Sequence, residues 1–280
     1  MSFNANFGWF LMEIVSPITF TVSLLASPSL LSLTRSQPLD TLASGWSRLN
    51  DPTKLLSVMY LAHYLNRSTI SVLRNPSKRA PMHIMTFLAS VLFNLANGHL
   101  MGSWIGGRTR SLLDFTSRQT SGGVAQSAMA SPLFWTGLAL WVAGLAGNVI
   151  HDNILYDLRR PDASGKPKPR YSIPHGGLYS RPFGGISTPS FFCEWIEWFG
   201  FALACSTADH APALPSQSSS LISSGLPLLP AISQLTPPWL FFFTELATMI
   251  PRALRGHKWY HDKFGKDMPK ERKALMPGVY

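Results

Sequence analysis

Long apolar runs that carry polar side chains near their middle constrain this chain more than any other feature. A helix needs roughly 20 apolar residues to cross a bilayer. Such runs predict spans at about residues 7–33, 54–74, 82–105, 132–156, 189–208 and 238–254. Charged residues make up 14% of the chain, against roughly 25% in an ordinary soluble protein. That deficit argues against a soluble enzyme of 280 residues. An aromatic share of 12% argues against disorder, which needs high charge and few aromatics. The expected fold class is all-α: a polytopic membrane helix bundle of about six spans, in one domain over residues 1–280.

Nearly every run holds an ionisable or amide group. These are Glu13; His63, Tyr64 and Arg67; Asn94 and Asn97; Asn148 and Asp152; Glu194 and Glu197. Such groups are costly inside a span and usually face a cavity or the bundle interior. Their recurrence predicts a polar ligand held within the bundle. The first basic residue is Arg35 and the first apolar run contains Glu13, so no secretory signal is expected.

The net charge is +10, and its placement gives an orientation. Of the 24 basic residues, 17 fall on the side reached after the second span and 5 on the other. The positive-inside rule puts the richer side, and both chain ends, in the cytosol. Residues 255–280 are strongly basic with interleaved aromatics and read as a cytosolic cap. Segment 209–238 is rich in Ser, Pro and Leu and lacks Lys and Arg, so it reads as an insertion on the opposite side. Cys193 and Cys205 lie in one run. On a helix they would be roughly 18 Å apart, too far for a disulfide, and they form no metal pattern.

Asn148 and Asp152 are four apart and share a helix face, with Arg159 near the same stripe. An amide, a carboxylate and a guanidinium in that order could bind a long polar molecule lying along the helix. Glu194 and Glu197 are neighbours three apart. They could act as acid and base, accept hydrogen bonds from a ligand, or pair with arginines. Gly176 and Gly177 allow a positive φ or a close backbone approach, and no G-x-G-x-x-G indicates a Rossmann fold. His257, Trp259 and Tyr260 read by composition as interfacial aromatics.

Together these segments carry a resemblance. YSIPHGGLY followed by SFFCEWIEWFGFAL is similar to the I-P-x-G-G-L-F and F-x-E-x-x-E-W-x-G-Y-A-L pattern of the steroid 5α-reductase family. HKWYHDKFGKDMPKERKALMPGVY resembles its closing segment. AGLAGNVIHDNILYDLRRP resembles its N-x-x-x-D helix, AHYLNR its H-Y-x-x-R, FNLANG its N-G turn and GWFLMEIVSP its W-F-x-Q/M-E-x-P-S segment. The family pattern has one further apolar span before that last segment, which is expected to be lacking here. Ser190, Ser172 and Gly256 depart from residues common in the family, and the link from Tyr179 to Glu194 is longer.

The resemblance implies a membrane reductase that uses NADPH to reduce a carbon–carbon double bond conjugated to a ketone, in a lipophilic, 3-oxo-Δ4-steroid-like substrate. It implies that Glu13 and Tyr64 meet the substrate carbonyl. It implies that Asn97, Asn148, Asp152, Arg159, Tyr171, Glu194, His257, Tyr260 and Arg272 line the cofactor site, with no metal. The basic cap would then face the cofactor phosphates. The excess positive charge accordingly points to a dinucleotide and membrane lipid, with nothing favouring nucleic acid. The resemblance also implies the endoplasmic reticulum. An enoyl-thioester or polyprenol reductase, a methyltransferase of the isoprenylcysteine type and an inactive membrane relative stand as alternatives.

Overall fold

The computed structural model describes residues 2–3, 5–25, 38–76, 82–107, 126–162, 164–166, 169, 171–180, 185–207 and 235–276. Among them the helices are α1 (Ala5–Leu25), α2 (Pro38–Ser47), α3 (Asp51–Leu65), α4 (Ser71–Arg74), α5 (Ile84–Ile105), α6 (Pro132–Asp157), α7 (Pro189–Cys205) and α8 (Pro237–Phe264). Two short strands, β1 (Ser2–Phe3) and β2 (Met82–His83), pair antiparallel and tie the start of the chain to the foot of α5. The molecule is an all-α bundle.

Local chemistry explains several helix starts. Asn50 caps α3 by accepting from the Thr53 N–H at 3.0 Å, and Ser131 caps α6 by accepting from the Leu133 N–H at 3.2 Å. Proline opens α6, α7 and α8 at the first turn, where its missing N–H costs nothing. Between α3 and α4 the backbone stays helical but widens into a π turn over Asn66–Ile70. Such bulges shift a side chain off the regular face and are frequent at functional sites.

Among the described residues, Asn6–Leu25, Ile84–Ile105 and Pro132–Asp157 are long and apolar enough to cross a membrane. The protein is an integral membrane protein. The other expected spans appear as helices that are shorter or carry more charge. The expected 54–74 span is α3, the π turn and α4, and the expected 189–208 span is the 17-residue α7. The expected boundary at 254 is not a break: α8 runs through it to Phe264, so the last span continues into the cap. Helix α2 was not expected. Residues 26–37 and 208–234, which hold the end of the first expected span and nearly all of the insertion, lie outside the described residues.

Helix α1 packs along α5 and α6 along α7, with α8 against both α7 and α5. Small residues allow this. A Cβ at Gly98 or Gly102 would collide with the carbonyl oxygens of Ser16 and Phe20, so the α1–α5 seam needs glycine there. The core is aromatic: Phe20 stacks on Tyr60 at 4.1 Å, and Trp198 meets Phe241 edge-on at 4.5 Å. A second cluster of Trp195, Met249, Ala253, Ala274 and Leu275 pins the tail to the bundle. Cys193 and Cys205 are both buried and free.

Candidate active site

The π turn carries Arg67 into the centre of the bundle. Its Nε lies 3.2 Å from Glu13 Oε1 on α1, and its Nη1 donates to Glu194 Oε1 on α7 at 2.9 Å. The guanidinium sits 5.4 Å from the Trp9 ring centroid, and the Arg67 carbonyl accepts from the Trp9 indole N–H at 3.3 Å. One fork therefore joins three helical segments through charge. Buried ions are tolerated where partners compensate their lost hydration. Glu13 faces the guanidinium directly.

Two cavities open on either side of this fork. The larger, about 820 Å³, is walled by Met12, Met82, Met85, Ala89 and Phe93, with Glu13, Tyr64, Thr86, Ser90, Asn94, Glu245 and Thr248 among its polar groups. The smaller, about 210 Å³, is walled by His63, Asn66, Ser71, Asn148, Asp152, Arg159, Ser190 and Glu194. Trp9, Arg67, Met249 and Arg252 line both. In the smaller cavity Asn148 Nδ2 donates to the Ser190 carbonyl at 3.3 Å and to Glu194 Oε2 at 3.4 Å. The α6 stripe and the α7 acid thus meet on one wall.

Behind these walls lies a buried support. Asn97 Nδ2 donates to the Tyr64 hydroxyl oxygen at 2.7 Å and to that of Tyr60 at 3.0 Å. Tyr64 accepts there, and its side chain also lines the larger cavity. Asn97 is in neither cavity wall. His63 Nδ1 shares a 2.7 Å hydrogen bond with Glu197 Oε1, and His63 Nε2 is 3.9 Å from Glu194 Oε1. Glu197, followed in sequence by a run that reads as packing, is an ion-pair candidate buried in the core.

The cap forms a third region. His257 and Arg272 line a cleft of about 480 Å³ with Lys258, His261, Lys270 and Lys273. Arg272 donates through Nη2 to the Pro174 carbonyl at 3.0 Å, while its Nε and Nη1 are buried with no partner among the described residues. His257 Nδ1 shares a 2.7 Å hydrogen bond with Ser187. Burial pushes the His257 imidazole below its ordinary value, and His261, Arg272 and Lys273 push the same way. Burial also pushes the Tyr260 hydroxyl up, while Arg272 and Arg159 act against it. Tyr171 is exposed beside Trp259, with the Lys263 ammonium 5.4 Å from its ring centroid.

The double glycine joins the cap to α6. Gly176 and Gly177 both adopt positive φ, at 93° and 51°, and a Cβ on Gly177 would strike the His151 ring. His151 donates from Nδ1 to the Gly147 carbonyl at 2.6 Å and accepts the Leu178 N–H at Nε2 at 2.9 Å. Beyond the loop, Ile186 bridges Lys273.

Glu13 and Tyr64 therefore come together at the larger cavity, and Asn148, Asp152, Arg159 and Glu194 at the smaller. His257 and Arg272 meet in the cap cleft, with Tyr260 nearby on α8. Sequence reasoning left Arg67, Arg252 and Glu245 without assignments. Glu245 could have been found, because it is an acid inside the expected 238–254 span, the same signal that singled out Glu13.

The family model described as 3-oxo-5-alpha-steroid 4-dehydrogenase matches residues 80–212 and 231–280. An uncharacterized protein of Schizosaccharomyces pombe, C9.08c, is 34% identical over 98% of this chain and 84% of its own. The rat 3-oxo-5-alpha-steroid 4-dehydrogenase 1 is 33% identical over 82% of this chain and 69% of its own. The steroid 5-alpha-reductase DET2 of Gossypium hirsutum is 28% identical over 85% and 74%. The family match runs through α5, α6, α7 and α8, which build part of both cavities and the cap, and the chain belongs to the 3-oxo-5-alpha-steroid 4-dehydrogenase family, oxidoreductases acting on CH–CH groups.

Proposed function

We propose that this protein reduces the carbon–carbon double bond of a lipophilic enone, a 3-oxo-Δ4-steroid or a close analogue, with NADPH, at the place where its two cavities meet. The observation that carries the reading is the shared wall: an apolar cavity with a tyrosine donor and a polar cavity with amide, carboxylate and guanidinium groups touch across Arg67.

The residues present fit the cofactor. Asn148, Asp152 and Glu194 offer the mixed donors and acceptors that a carboxamide and ribose hydroxyls require. The two buried, unpartnered nitrogens of Arg272, Nε and Nη1, are donors that a phosphate would satisfy. NADPH, when bound, supplies the hydride that adds to the β-carbon. Asn148, Asp152, Arg159 and Glu194 would hold its nicotinamide end, and Tyr171, His257, Tyr260 and Arg272 its phosphate end.

The substrate would lie along the methionine and phenylalanine wall with its ketone toward Tyr64. Charge develops on the ketone oxygen during reduction, and a preplaced donor stabilises it best. Tyr64, which lines this cavity with its hydroxyl oxygen held by Asn97, would be that donor. Glu13 would set the polar end of the cavity and hold Arg67 in place. The basic cap would face the cytosol, with the protein in the endoplasmic reticulum membrane.

The test is the full chain in membranes with NADPH and a 3-oxo-Δ4-steroid. Loss of enone absorbance that requires both supports the proposal. No loss at any NADPH concentration, with the protein folded, removes it.

A further inference from the structure

Reduction of an enone needs a hydride at the β-carbon and a proton at the α-carbon, and the roles above leave the proton without a source. Glu245 projects from α8 into the wall of the larger cavity, together with Glu13 and Tyr64. Its backbone carbonyl accepts from Thr248 Oγ1 at 3.2 Å. Among the described residues its carboxyl has no hydrogen-bond or ion-pair partner. The charged groups within its electrostatic reach are Glu194 on α7, Arg67 in the π turn, Glu13 on α1 and Arg252 on α8 itself. Arg67 already serves Glu13 through Nε and Glu194 through Nη1. The Arg252 guanidinium lies over the Phe191 ring at 5.4 Å. Of the three carboxyls around the fork, Glu245 alone can gain or lose a proton without breaking an ion pair.

We propose that Glu245 is the general acid that protonates the substrate α-carbon; this rests on the enone-reduction reading. Once the β-carbon carries the hydride, the substrate is an enolate held by Tyr64. The Glu245 O–H bond breaks, a C–H bond forms at the α-carbon from the enolate π pair, and the ketone C=O is restored. The carboxylate left behind recovers its proton from water. A positioned general acid contributes about 10²–10⁴-fold.

The step runs backwards without cofactor, and that gives the experiment. The full chain in detergent is incubated in D₂O with the saturated 3-ketosteroid and no nucleotide, and α-deuteration is followed by mass spectrometry. The wild type should exchange above the buffer rate. Glu245→Gln should lose about 100-fold of that rate and of NADPH-dependent kcat. It should keep its NADPH affinity, read by nucleotide fluorescence, and Glu245→Asp should recover part of both rates. Exchange and kcat at wild-type level in Glu245→Gln overturn the proposal while enone reduction stands. So does a wild type that reduces without exchanging, or loss of NADPH binding in both variants, which would make the role structural. A wild type that neither exchanges nor reduces overturns the enone reading itself.

Discussion

The two cavities that meet at Arg67 are cut into one bundle and share part of their lining, yet their balance of polar and apolar surface differs. The larger presents mostly apolar surface, from methionines, alanine and phenylalanine, with polar groups that include Glu13, Tyr64, Asn94 and Glu245. In the smaller, amides, hydroxyls and charges outweigh the Trp9, Tyr156, Phe191 and Met249 side chains that share its wall. In the proposed reaction a lipophilic substrate and a polar cofactor would need different surroundings but adjacent reacting atoms. Four shared residues, with the guanidinium among them, let one bundle offer both.

The sharpest way to break that comparison is to remove its boundary. Arg67→Met would leave Glu13 and Glu194 without their cation. Breaking a buried pair in this way costs about 3–5 kcal/mol. Both NADPH binding and turnover should fall, with a large drop in Tm. A variant of normal Tm and activity would show that the two cavities do not depend on the fork.

The next variants should separate the two sides. Tyr64→Phe removes one donor at the ketone oxygen, so kcat should fall about 100-fold. Glu13→Gln should also slow reduction. In both, NADPH affinity measured by fluorescence should change less than turnover, because these residues line the larger cavity. Unchanged turnover in both would remove their assignment. Asp152→Asn should do the reverse: about tenfold weaker NADPH binding, the cost of about one charge-assisted hydrogen bond, with kcat at saturation nearly retained.

The smallest expected effect lies in the cap. His257 is held below its ordinary value of 6.5, so the folded chain disfavours its protonation. As pH falls below 6.5 the unfolded chain takes up the proton first, and folded stability declines. The Tm difference between wild type and His257→Gln should be flat above neutrality and turn against the wild type on the acid side. A bound phosphate should oppose this, since an anion favours the charged imidazole.

Much of the smaller cavity was legible along the chain. Asn148 and Asp152 share a face because a helix repeats every 3.6 residues, and Arg159 follows near that stripe. Glu194 stood out as an acid within an apolar run. The role of Asn97 was less legible. Motif resemblance grouped it with cofactor residues, whereas its amide sits behind Tyr64, 33 positions away in the chain. The same resemblance grouped Tyr171 with the cofactor residues, and the structure places it exposed beside Trp259.

Burial cost follows from residue type, so composition and apolar run length were enough to establish a helical membrane bundle, its polar interior and its basic end. Pairing does not follow from residue type. Arg67 meets Glu13 and Glu194 only because a π turn, a glycine seam and the packing of α7 bring distant segments within 3.2 Å. Which carboxyl is ion-paired and which is not is therefore a property of the packed helices.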